Sequence, residues 1–342
     1  MAQYHWACAI VVSRARTYRA VSALNAPRSA CENSLIMSTF SFVIFTDSHL
    51  TVDPKAAEPW WNAELLGRSS DILTVAVEDA VALEPEFVVH LGDVTDKADR
   101  DSFQVAGEIL SKLNCTLHFT PGNHDTWTQG SRHVASELLQ VSGPPMYRSV
   151  PYKGWRLLLI DSAYWMYQDG TIHPHIDWDR YKDIVVPPSQ VEWIERELQR
   201  DPDTPTLCFI HVPLALREQY PPIILPPGCP SDTDPFELLV KMLDLDRTLA
   251  DKLSAHTCVK AVFSGHGHWH DCIVQDSTLF CQTAALVEYP CEFRKVTVWP
   301  DRLDVETVSL SRGDFPSLSL GSEARNTWTA GRPQDRTYSH PV

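Results

Sequence analysis

The sequence predicts an α/β fold, a sheet flanked by helices, on three observations. From Phe40 onward, apolar runs of strand length alternate with stretches whose apolar residues recur every three to four positions, the pattern of strands alternating with helices. Five strand-length runs end in residues able to hold a metal: Asp47 with His49, Asp93, Asn123, His211, and His266 with His268. An apolar content of 44% over 342 residues is ample for a buried core. Alternation alone also admits a simple three-layer arrangement.

Residues 41–45 read as the first strand, running into Thr46-Asp47-Ser48-His49-Leu50. Residues 70–83 read as a helix, with Ile72, Val75, Ala76, Ala80 and Leu83 on one face. Residues 87–91 suit a strand buried on both faces, and Gly92 lets the chain turn so that Asp93 projects from its carboxyl end. A helix over 102–113 and a strand over 116–120 follow, the strand breaking at Pro121-Gly122-Asn123-His124-Asp125. Residues 155–161 form a buried strand, and 162–187 a long loop rich in aromatic residues. A helix over 188–200 and a strand over 206–210 deliver His211, after which the proline-rich stretch 212–235 excludes regular structure. A helix over 236–253 leads to the strand 259–263 and Ser264-Gly265-His266-Gly267-His268. The β segments 279–282, 293–298 and 303–309 follow with no helix between them and are expected to extend a second sheet.

The formal charge of −15 argues against a nucleic acid polymer or an anionic membrane as partner and favours a small molecule or metal cations. Nine cysteines, an odd number with no C-x-x-C pair, point to reduced thiols and a cytoplasmic location. No segment has membrane-spanning length. Residues 1–36 hold four arginines against Glu32 alone, leaving 25 basic and 43 acidic groups, a net of −18, in the remainder. We therefore divide the chain into an N-terminal extension, 1–36, that is disordered or not translated if synthesis starts at Met37, a main domain, 37–310, and a polar C-terminal tail, 311–342, wrapping the surface or loose.

Parallel strands present their carboxyl ends at one edge, so the five strand ends can converge despite spanning more than two hundred positions. Oxygen and imidazole donors without thiolates suit Mn, Fe, Co, Ni or Zn. Two ions held close together need a shared anionic ligand to screen their repulsion, and Asp93 is the carboxylate best placed for this. Singly, each motif has an ordinary reading: Asp47 and His49 as a capping or turn pair, Gly92-Asp93, Asn123 and Asp125 as turn formers. His173 and His175 have ligand spacing but lie in the aromatic loop and read as surface residues, while His270 competes with His266 as partner of His268.

In order along the chain, Asp47-Ser48-His49, Gly92-Asp93-Val94-Thr95-Asp96, Gly122-Asn123-His124-Asp125, the lone His211 and Gly265-His266-Gly267-His268 resemble the motifs of the calcineurin-like metallophosphoesterases. The resemblance covers about residues 40–310 and settles the register on His266. It implies a four-layer α/β/β/α sandwich, two packed mixed β-sheets flanked by helices. It also implies two divalent or mixed-valence ions (Mn, Fe or Zn): one on Asp47, His49 and His268, the other on Asn123, His211 and His266, with Asp93 bridging. A hydroxide between the ions would attack phosphorus, with His124 as proton donor to the leaving oxygen and Asp96 orienting it. Asp96 stands where purple acid phosphatases have a tyrosine ligand, and Lys97-Ala98 replaces the Arg-Gly of protein phosphatases. The pattern is closest to class III cyclic nucleotide phosphodiesterases, although Ile210-His211-Val212-Pro213 lacks their paired histidine. The implied partner is a small phosphodiester, cyclic nucleotide or glycerophosphodiester in type, and a homodimer fits this reading. A phosphomonoesterase or nucleotide pyrophosphatase on the same core, served by Arg68, Lys153 or Arg217, and a non-catalytic metal-binding scaffold are the alternatives.

Overall fold

The computed structural model describes residues 38–53, 61–217, 219–225, 234, 247–321 and 325–342. The expected extension 1–36 and the first part of the expected helix 236–253 lie outside them.

Alternating side chains set the layers. In β1 (Phe40–Phe45), Phe42 and Ile44 face one way and Val43 and Phe45 the other, as the two-residue pleat requires. β2 (Phe87–His90) and β3 (Thr116–Phe119) continue parallel to β1, while on its other side β13 (Glu292–Val298), β14 (Arg302–Ser309) and β15 (Thr337–Pro341) follow in turn, each antiparallel to the strand before it. The second sheet has the order β11-β12-β10-β9-β5-β4, comprising β4 (Arg148–Tyr152), β5 (Trp155–Leu159), β9 (Thr206–Phe209), β10 (Val259–Ser264), β11 (Asp271–Gln275) and β12 (Thr278–Gln282). It is parallel in the middle and antiparallel at both edges.

Between the sheets lie Phe42, Phe87 and Val89 from the first and Leu157, Phe209 and Phe263 from the second. Phe42 stacks on Phe87 with centroids 4.8 Å apart and meets Phe209 and Phe263 edge-on. Truncating so enclosed a ring to alanine costs about 3–5 kcal/mol. The outer face of the first sheet is covered by α1 (Ser69–Ala82), α2 (Arg100–Leu110) and α3 (Ser131–Leu138). That of the second is covered by α4 (Pro188–Arg200) and α5 (Arg247–Ser254). Local chemistry fixes where these helices start: the Asp99 side chain caps the Ser102 N–H of α2, and Pro188 opens α4, where no amide proton is needed. The result is the four-layer α/β/β/α sandwich.

Three expectations change. Residues 162–187 are not an irregular loop: β6 (Tyr164–Tyr167), β7 (Ile172–His173) and β8 (Tyr181–Val185) form a separate three-stranded sheet, its first turn built on Asp169-Gly170, a strong hairpin signal. The late β segments divide between the sheets: β12 joins the second, but β13 and β14 pair beside β1 in the first. The polar segment, in its described parts 311–321 and 325–342, is woven in: after α6 (Phe315–Leu320) and α7 (Pro333–Arg336) it ends as edge strand β15, and Asn326, Thr329 and Asp335 are buried. α3, β4 and β11 complete the layers at positions where the sequence pattern marks no element; β4 is a short edge strand carrying Pro151, which hides its period.

Candidate metal centre

The loops after β1, β2, β3, β9 and β10 meet at one edge, held together by main-chain hydrogen bonds that prolong the sheets. Asp47 N donates to Gly92 O at 3.0 Å, His49 N to Asp93 O at 2.9 Å, Thr120 N to His90 O at 3.1 Å and Gly265 N to His211 O at 2.9 Å. The turns are so tight that Asp47, His49, Asp93, His266 and His268 all adopt left-handed backbone, with φ of 51°, 37°, 51°, 65° and 64°. Non-glycine residues hold such angles only where the surroundings enforce them. Gly92 has φ 106°, and a Cβ on Gly122 would collide with the Asp93 carboxylate; these two glycines let the ligand loops touch.

The side chains gather in two sets. Ligand atoms of Asp47, His49 and His268 lie within 4.8 Å of one another, as do those of Asp93, His211 and His266. Asp93 joins the sets through one atom: its Oδ2 is 3.2 Å from His211 Nε2 and 3.7 Å from His49 Nε2. Asn123 belongs beside the second set, its Oδ1 3.0 Å from His211 Nε2. His268 Nε2 lies 3.4 Å from Asp47 Oδ1. All seven ligand positions expected from the sequence are thus brought together.

The donors fit cations. Asp47 Oδ1 and both ring nitrogens of His49 are buried without a hydrogen-bond partner, which is costly unless another group satisfies them. Burial opposes charge on these groups, yet the field between them prevails. The Asp47 carboxyl is held well below its usual range by His268, His49 and His211, while Asp47 and Glu288 lift His268 to about 10. Asp47, Asp96 and Asp93 likewise raise His49 well above its ordinary value. Acid-rich surroundings that draw protons onto buried imidazoles are those that draw metal cations.

His124 follows Asn123 and sits at the rim with its side chain one-quarter exposed. Its main-chain N–H donates to Asp93 Oδ1 at 2.8 Å, and its Nδ1–H donates to the main-chain oxygen of Asp96 at 2.7 Å. The Asp96 carboxylate is farther, 3.7 Å from that nitrogen, so the close contact holding the ring is the carbonyl. Burial lowers the His124 pKa, opposed by the charge of Asp93. Asp125 faces away and accepts main-chain N–H groups of Val94, Thr95 and Gly122, tying two ligand loops together.

Sequence reasoning missed Glu288. Its buried Oε2 accepts from His268 Nδ1 at 2.6 Å and its Oε1 from Asn62 N, fixing the ring so that Nε2 faces Asp47. Asn62 is bonded in turn to Asn326 of the C-terminal segment, and Trp61 Nε1 donates to Gly267 O at 2.8 Å. Nothing in the local pattern Val287-Glu288-Tyr289 signals this role. His173 stacks on Tyr167 at 4.0 Å and His270 faces Glu292 at 3.4 Å, both outside the two sets. Arg68, Lys153 and Arg217 are engaged elsewhere, with Asp71, Glu86 and the pair Asp271 and Asp335.

The model of the calcineurin-like phosphoesterase family matches residues 40–270. A probable cyclic nucleotide phosphodiesterase of a Synechococcus species is 24% identical over 277 residues, covering 77% of this chain and 89% of the relative. A glycerophosphodiester phosphodiesterase of Enterobacter lignolyticus is 28% identical over 131 residues, covering 38% of this chain and 42% of the relative. Among solved structures, a dimetal phosphatase from Danio rerio superposes with a TM-score of 0.58 at 16% identity, over 80% of this chain and 99% of that one; at that identity the likeness concerns the fold.

Proposed function

Since the chain belongs to the calcineurin-like phosphoesterase family and is with it a metal-dependent phosphoric ester hydrolase, we propose that it hydrolyses a small phosphodiester, of cyclic nucleotide or glycerophosphodiester type, at a dinuclear centre. The observation carrying this reading is the position of Asp93 Oδ2, which faces a histidine of each ligand set. Asp47, His49 and His268 would hold one ion and Asn123, His211 and His266 the other, with Asp93 shared. Two divalent ions, Mn, Fe or Zn, would supply there a Lewis acid and a water of lowered pKa.

The chain's own residues supply the rest. His124 gives Nδ1–H to the Asp96 carbonyl, which leaves Nε2 as the nitrogen facing the reaction; with the ring protonated, Nε2–H would be the proton passed to the leaving alcohol oxygen. Asp93 accepts the His124 main-chain N–H, which locks this donor to the bridging carboxylate. Engagement of Arg68, Lys153 and Arg217 in other ion pairs favours a singly charged diester over a doubly charged monoester. The intact set of ligands together with His124 favours catalysis over a scaffold role. Among the described residues, six cysteines are free and no helix is long and apolar enough to cross a membrane; the free thiols support the cytoplasmic reading.

The test is hydrolysis of bis(p-nitrophenyl) phosphate by protein loaded with Mn, beside p-nitrophenyl phosphate. Faster turnover of the diester supports the proposal. A folded, metal-loaded sample with no activity on the diester refutes it.

A further inference from the structure

An aromatic track leads outward from His124. Trp127 closes the same short turn, its ring 4.4 Å from the His124 imidazole and inclined by 30°. Trp178, from the connection between β7 and β8, meets Trp127 at 5.2 Å, nearly perpendicular. Among the described residues Trp178 is the only aromatic side chain among the large exposed apolar ones, with 63% of its surface open, so at least part of an indole face is free to stack. Its neighbour Trp165, at 6.5 Å, is buried.

The small sheet that presents Trp178 is firmly anchored. Trp165 Nε1 donates to Thr126 Oγ1 at 2.9 Å, joining this sheet to the turn that carries His124. At its base the buried Arg132 pairs with Asp161 at 3.2 Å and donates to the Ala163 carbonyl at 2.6 Å. Trp127 Nε1 is buried with no hydrogen-bond partner, a donor left over beside the track. Asp177 and Asp179 flank Trp178, a negative setting that repels a group bearing further phosphate but tolerates a neutral ring.

We propose that Trp127 and Trp178 seat the aromatic group carried by the leaving alcohol, so that the substrate class is a nucleoside or aryl phosphodiester rather than an alkyl one. This rests on the phosphodiesterase reading and on His124 as donor to the leaving oxygen: Trp127 and then Trp178 are the next aromatic rings outward from His124, at 4.4 and 5.2 Å, for a group attached to that oxygen. Aromatic stacking of a base on an indole is sequence-tolerant, which suits a site that recognises a ring and few of its edges.

The experiment compares two diesters with the same ethyl group and primary leaving alcohols, ethyl adenosine-5′-yl phosphate and ethyl glyceryl phosphate, using Mn-loaded wild type, Trp178→Ala and Trp178→Phe. Wild type should favour the nucleoside diester in kcat/KM. Trp178→Ala should cut that preference about tenfold to a hundredfold, and Trp178→Phe should keep most of it. An unchanged preference in Trp178→Ala overturns the proposal. A second arm follows quenching of tryptophan fluorescence by adenosine in metal-free protein, with weaker binding expected in Trp178→Ala. Wild type inactive on both diesters defeats the phosphodiesterase reading instead, and equal adenosine affinity in wild type and Trp178→Ala then overturns the aromatic seat by itself.

Discussion

Replacing Glu288 by glutamine should weaken metal binding at the set that contains His268. Glu288 is fully buried, and each of its oxygens accepts one hydrogen bond, Oε2 from His268 Nδ1 at 2.6 Å and Oε1 from Asn62 N. Glutamine keeps the shape but has one acceptor oxygen, so one of the two donors must face an amide NH2. If His268 loses its acceptor, the ring loses a charge-assisted hydrogen bond of about 1.5–3 kcal/mol. That corresponds to roughly tenfold to a hundredfold in affinity, the range seen when the partner of a metal-binding histidine is removed. Equilibrium dialysis with metal analysis should then show one equivalent binding more weakly, with the other little changed. The same substitution made in a His268→Ala background should have little further effect, because the two residues act through one hydrogen bond. Glu288→Gln protein that binds both equivalents as wild type does would refute the orienting role.

Three further outcomes follow from the site and the core. Asp93→Asn should keep the fold and weaken both equivalents together, since Oδ2 faces both sets; loss of a single equivalent in metal analysis would show that the bridge lies elsewhere. His124→Ala should leave metal content unchanged and lower kcat about 10²–10⁴-fold; unaltered turnover removes it as proton donor. Burial and the nearby Arg148 depress the His118 pKa to about 4, against 6.5 in the unfolded chain. The unfolded state therefore takes up the proton first as pH falls, so stability is full above 6.5 and falls by up to about 3 kcal/mol by pH 4. His118→Phe should flatten that part of a denaturation-versus-pH curve, and an unchanged slope would exclude the effect.

The strands and the convergence of the candidate ligand residues were legible because each rests on a local rule. An apolar run such as Phe87-Val88-Val89-His90 announces a buried strand, and the polar residues directly after it inherit a place at the sheet edge. Glu288 was not legible, because its partner His268 is twenty residues away and the contact depends on how the segment after β12 crosses the site. The small sheet 164–185 was hidden by composition: five aromatic residues around His173-Pro174-His175 look irregular, while the signal lay in the Asp169-Gly170 turn. The division of β12 from β13 between two sheets also has no local sign, since strands of either sheet show the same apolar face to the shared core.

Five candidate ligand residues in left-handed backbone mean that the centre is assembled against the chain's own preference, each such residue costing on the order of 1 kcal/mol or more. The layers around the site carry that cost: β1, β2, β9 and β10 are fixed by the core, so their loops have no freedom to relax into common angles. Burying Asp47 Oδ1 and the His49 ring without hydrogen bonds adds to it. A ligand that binds only the folded state returns stability in proportion to the logarithm of its concentration over Kd, about 2.7 kcal/mol at a hundredfold excess. Chelator-treated protein should accordingly melt at a lower temperature and recover by several degrees on adding Mn, and the recovery should be much smaller in Asp93→Asn. A melting temperature indifferent to Mn would mean that these buried atoms are satisfied by something other than a cation.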